Sequence, residues 1–131
     1  MIIIYFLILG FLNSLLFPPY FFIPLGFIIF PFLCIIVEKI LRELNKYYHF
    51  ICGFFFGFAF FISYLFWIKN PFFIFEETKI FFYFSILLIV LLSIIFGVIF
   101  TVIINIYKFL PTVILVPLIF ISIEFIISIF L

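Results

Sequence analysis

Residues Gly53–Ile68 read GFFFGFAFFISYLFWI. No residue in this stretch is charged, and none of the alternation that marks a barrel strand is present. A run apolar on every face and near twenty residues long is a helix whose surroundings are lipid or other helices. The rest of the chain repeats the pattern. Of 131 residues, 72% are hydrophobic and 8% charged, against about half and about a quarter in a soluble domain. Such a chain cannot hide its apolar surface in a core of its own. Inside a bilayer the backbone must satisfy its own hydrogen bonds, which selects helices once barrels are excluded. The predicted fold is therefore an all-α integral membrane protein, one domain over 1–131, built as a bundle of about five transmembrane helices.

Polar punctuation divides the chain into spans at about 2–17, 21–37, 50–68, 80–106 and 112–131. The second is short and holds Pro24 and Pro31, so a bent or shallow helix is expected there. The N-terminal MIIIYFLILGFLNSLLF has no basic region before it and runs into PPYFF, not a small-residue cleavage site, so it reads as a retained first span. Lys39, Arg42, Lys46 and Lys108 fall on one side of the spans, Lys69 and Lys79 on the other. The positive-inside rule then places the N-terminus and the 38–49 segment in the cytoplasm. Trp67 and Tyr64 fall at the outer interface, where amphipathic rings settle.

The chain carries a net charge of +1 with no basic cluster, so nucleic acid is not an expected partner. Cys34 and Cys52 both lie in apolar runs and, with the single histidine, match no metal-site pattern. They read as small hydrophobes, and neither a metal nor a cofactor is expected. Gly53 and Gly57 form a G-x-x-x-G, a spacing that permits close helix approach. Asn105 and either Ser85 or Ser93 are expected to hydrogen-bond between helices, and His49 at the cytoplasmic edge is given no catalytic role. Glu124 is the one charge deep in a span, twelve residues beyond Thr112, or about 18 Å along a helix. A carboxylate at that depth needs a partner or a polar cleft. The expectation is a substrate-access cleft on the outer half of the bundle, formed by Glu124, Trp67 and Tyr64, with Glu124 facing spans three or four. No nucleophile–base pair, phosphate loop or metal motif is present in the sequence.

The order of three marks narrows this further. Phe17–Tyr20 (FPPY) closes the first span, with Pro18 and Pro19 as its turn. Gly53, Gly57 and Trp67 mark the third, and Glu124 with Phe125 in IEFI marks the fifth. The set resembles the N-terminal membrane region of apolipoprotein N-acyltransferase, over nearly the whole chain. Departures are Phe120 where that family has tryptophan and Ile127 where it has arginine. The resemblance implies a bacterial inner-membrane location and transfer of an acyl chain from phospholipid to an enzyme cysteine. The chain then passes to the α-amino group of a lipoprotein. It also implies a nitrilase-like domain outside the membrane that carries a Glu–Lys–Cys triad. No such triad lies within these 131 residues, and Cys34 and Cys52 are on the cytoplasmic side in apolar surroundings. No catalytic residue is therefore assigned, and the chain is expected to be inactive alone. Two other classes fit the same physics: a small ion- or proton-coupled transporter component using Glu124, and a structural membrane subunit.

Overall fold

The computed structural model describes residues 1–17, 20–43, 45–66, 76, 80 and 82–130, apart from the side chains at 127 and 130. Among them the chain forms five α-helices and no strand. These are α1 (Ile2–Ser14), α2 (Gly26–Glu43, led in by a 3-10 turn at Ile23–Leu25), α3 (Lys46–Tyr64), α4 (Phe82–Ile106) and α5 (Thr112–Phe130). Ile23–Glu43, α3 and α4 are long and apolar enough to cross a membrane, while α1 and the stretch Thr112–Ile126 are shorter apolar helices.

Several boundaries differ from the apolar edges in the sequence. α2 does not stop at Val37 but continues to Glu43, because Arg42 pairs with Glu38 one turn back along its exposed face. α3 begins at Lys46 and not at Phe50. Asn45 has an extended backbone and its carbonyl accepts from the amides of Tyr48 and His49 at 2.9 and 3.2 Å, so it starts the helix. α1 ends at Ser14, whose hydroxyl donates to the Phe11 carbonyl at 2.6 Å. Beyond it Leu15, Leu16 and Phe17 tighten into three-residue turns, and the Phe22 amide reaches back to the Leu15 carbonyl at 3.0 Å. Phe21 reverses the chain there with a φ of 50°, in the left-handed region a bulky side chain rarely occupies. The predicted turn at Pro18 and Pro19 lies outside the described residues.

α3 is the axis of the bundle, with α1 against one side and α4 against another. Contacts between α1 and α3 run in step, Gly10 at Phe56 and Phe17 at Tyr64, so these two helices are parallel. Those between α3 and α4 run in opposite order, Gly53 at Phe100 and Gly57 at Phe96, so that pair is antiparallel. α5 lies along α2 and α4, with Thr112 at Cys34 and Phe120 at Phe30, antiparallel to α2. Lipid supplies little drive for apolar helices to associate, so packing contacts must do so. Glycines provide the closest of them. A Cβ on Gly53 would stand 2.8 Å from the Phe100 Cβ, and one on Gly57 2.9 Å from the Phe96 Cβ. Gly97 answers from α4, where a Cβ would lie 3.1 Å from the Phe54 amide nitrogen.

Phenylalanine rings fill what the glycines leave open. Phe56 meets Phe6, Phe96 and Phe120 at 6.4, 5.2 and 5.9 Å between ring centroids, contacts worth roughly 0.5–1.5 kcal/mol each beyond area. Phe120 anchors α5, touching Phe30, Phe56 and Phe96 from one position. Large side chains such as Phe27, Ile35, Leu87 and Ile129 stay exposed on the outside of the bundle, the surface a bilayer covers.

Candidate functional site

The parallel α1 and α3 end near each other, and α5 runs alongside without closing the gap. A groove of about 290 Å³ remains. Its floor is a ring cluster: Tyr64 stacks on Phe60 at 5.6 Å, and Phe17 sets its edge against both at 5.7 and 5.5 Å. Phe61, Phe96 and Phe120 continue that floor toward the core. α5 contributes Ile123, Glu124 and Ser128. The helix period explains the set: Phe120, Glu124 and Ser128 follow at four-residue steps and share one face. Phe120 at the head of that row fixes how the face is turned. The result is a mostly aromatic trough with polar atoms from the Tyr64 phenol, the Glu124 carboxyl and the Ser128 hydroxyl along its walls.

Glu124 itself is exposed and makes no hydrogen bond or ion pair among the described residues. It stands at the border of the groove, next to a row of α3 and α1 rings, and does not reach the interior of the bundle. The polar neighbours considered from sequence are committed elsewhere. Ser85 and Ser93 donate within α4 to Phe82 and Ile89 carbonyls at 2.7 and 2.6 Å, so neither bridges helices. Ser93 is instead small enough to face Gly57, whose Cβ would lie 3.4 Å from the Ser93 Cα. Trp67 lies outside the described residues. Tyr64 and Glu124 thus share the groove, while Gly53 and Gly57 sit deeper, on the α3–α4 contact.

A second polar feature lies at the far end of α3. His49 is 4% exposed, and its Nε2 is 3.1 Å from the Ile40 carbonyl of α2. Its Nδ1 is 3.5 Å from Asn105 Nδ2, which also donates to the Thr101 carbonyl at 2.7 Å. A proton on Nε2 satisfies the carbonyl and leaves Nδ1 to accept from Asn105, so one imidazole ties α2, α3 and α4 together. Sequence reasoning left His49 without a partner. No motif could have revealed it, because the acceptor is a backbone carbonyl and the donor lies 56 residues away. Asn105 is the interhelical bond former of the three polar residues considered, and it is at the wrong end to serve Glu124.

The cysteines take no part in the groove. Cys52 is buried and Cys34 lies against the Thr112 carbonyl, 3.7 Å from its Sγ, and both are free thiols.

Residues 9–131 match the family model described as the apolipoprotein N-acyltransferase N-terminal domain. No curated protein and no solved structure matches the chain.

Proposed function

Since this chain belongs to the apolipoprotein N-acyltransferase N-terminal domain family, we propose that it is the membrane module of a phospholipid-to-lipoprotein N-acyltransferase, and that the groove beside Tyr64 and Glu124 admits a lipid substrate. The groove carries this reading. A phospholipid or a diacylated lipoprotein has long apolar chains and a polar head, and the trough offers both kinds of surface in sequence along α5. The aromatic floor suits acyl chains. Tyr64, Glu124 and Ser128 suit the head, in a setting where an unsatisfied carboxyl is costly and a polar ligand or water is welcome.

The chemistry of acyl transfer requires a nucleophilic thiol with a base beside it. Cys34 and Cys52 sit in helix contacts without such a base. A nitrilase-like partner or domain, as the family resemblance implies, would supply that chemistry, and the present chain would hold and orient lipid for it. On this reading the protein is a bacterial inner-membrane component with its N-terminus in the cytoplasm and the Glu124 groove toward the outer leaflet.

The test is acyl transfer to a diacylated lipopeptide by the chain assembled with a nitrilase-like catalytic domain. Glu124→Gln is expected to lower transfer about tenfold or more while the protein still inserts into membranes and binds the catalytic domain. Full activity in this variant, with normal insertion, would remove Glu124 from the substrate path. Labelling of single cysteines at positions 43 and 77 by an impermeant reagent in intact cells checks orientation. Position 77 is expected to react and position 43 to stay shielded, and the opposite pattern would invert the groove's side.

A further inference from the structure

At the opposite end of the bundle a second groove, of about 390 Å³, opens between the last turns of α2 and the link from α4 to α5. Glu38 and Arg42 line it from α2, and Lys108, Phe109 and Thr112 from the link and the start of α5. We propose that this groove binds a phosphate anion, carried there by the headgroup of a membrane phospholipid.

Charge is the first support. One carboxylate and two cations face the same space, a balance of +1 that a single phosphodiester would neutralise. Arg42 spends one terminal nitrogen, Nη2, on Glu38 and makes no other hydrogen bond among the described residues. That pairing leaves Nε and Nη1 as donors and holds the side chain along the α2 face, and a guanidinium so fixed suits the flat spread of phosphate oxygens. Lys108 has only the face of the Phe109 ring beneath it, with Nζ 5.2 Å from the centroid, so all its donors remain free among the described residues. The start of α5 adds a smaller term. The Pro111 carbonyl accepts from the amides of Ile114 and Leu115, at 2.9 and 3.2 Å, so the Thr112 amide has no acceptor inside its helix.

The second support separates a lipid from a free anion. Phe109 is 89% exposed and shares the groove with the cations. Cationic donors beside a bare aromatic ring match an amphiphile, whose phosphate meets the first and whose glycerol and upper acyl carbons cover the second. The groove also lies on the end of the bundle that bears Lys39 and Lys46, where an anionic leaflet adds attraction for each basic residue. A lipid seated here would join α2 to α5, a pair that otherwise meets through few contacts. This site is distinct from the Glu124 groove, which lies at the other end of α5, and does not depend on the function proposed for it.

The experiment uses the whole chain purified in a maltoside detergent, with three probes: phosphatidylglycerol, diacylglycerol of the same chains, and inorganic phosphate. Phosphatidylglycerol is expected to bind and to raise the melting temperature of the helices, and diacylglycerol to do neither. Lys108→Gln, which breaks no ion pair, should weaken phosphatidylglycerol about fivefold, and Arg42→Gln by a similar factor. Lys39→Gln, on α2 outside the groove, should leave binding unchanged. If inorganic phosphate alone gives the same Lys108-dependent shift, the phosphate site stands and its source is the free anion. Equal binding of phosphatidylglycerol and diacylglycerol, or undiminished binding by Lys108→Gln with unchanged circular dichroism, would overturn the proposal.

Discussion

The bundle has two unlike halves. Where α1, α3 and α4 meet, backbones approach until only hydrogen fits between them: a Cβ on Gly10 would stand 2.3 Å from the Phe56 carbonyl oxygen. Where α2 and α5 join, side chains keep the helices apart. At the start of α2, a Cβ on Gly26 would meet nothing nearer than Leu16 and Phe30 side-chain carbons at 3.6 Å, an ordinary contact. Both open grooves border α5, and Pro31 and Pro117 interrupt the two helices of this half. Close approach holds α1, α3 and α4 together through the middle of the bundle, while toward Leu65 and Phe82 the α3–α4 pair parts to leave an apolar groove of about 300 Å³. The two grooves bordering α5 open where such glycine contacts stop.

This contrast fails or sharpens on substitutions. Gly10→Ala should have the largest effect, about 3 kcal/mol or more, because the added methyl meets a backbone oxygen of the central helix that cannot turn aside. Unfolding in mixed detergent followed by circular dichroism measures it, and a wild-type midpoint would show that α1 is not seated as described. Gly53→Leu and Gly57→Leu should each cost about 1–3 kcal/mol, since the opposing atoms are Phe100 and Phe96 side chains held at their own Cβ. Phe55→Leu, on another face of α3, serves as the control and should cost less than about 1.5 kcal/mol. His49→Ala should cost about 1–2 kcal/mol by taking the imidazole from the Ile40 carbonyl and from one Asn105 amide hydrogen. Asn105→Ala should cost less than His49→Ala, because its bond to the histidine is long at 3.5 Å. Gly26→Ala should be the mildest, neutral or stabilising by up to about 1 kcal/mol, with helix propensity gained and no clash created. A large loss there would mean the start of α2 is as tightly packed as the glycine contacts of α1, α3 and α4.

The all-helical character was legible because composition leaves no alternative solvent. Helix ends were less so. The apolar edge at Val37 marks where lipid would stop, but Glu38 and Arg42 carry hydrogen-bonded helix past it. Spacing drew attention to Gly53 and Gly57, since both lie on one helix at one period. Gly10 and Gly97 stand alone in their helices and show their close contacts only once α3 lies beside them. Glu124 stood out as a buried-looking charge, yet depth along a helix does not give direction around it. The turn of α5 is set by Phe120 among three other rings, a matter of tertiary packing.

The two prolines carry a consequence for mechanics. Cys34 faces Thr112, and Phe30 faces Phe120, which sets Pro31 and Pro117 at nearly the same level of the α2–α5 seam. Each lacks an amide hydrogen, so each helix misses one rung of its ladder at that depth. Had the gaps been staggered, each helix would have been splinted by an unbroken stretch of its neighbour. Lined up, they form a shared crease with reduced bending stiffness, flanked on both sides by stiffer rods. Motion of the half that borders both grooves should therefore concentrate in one plane across the membrane, and the ends of α2 and α5 should swing together about it.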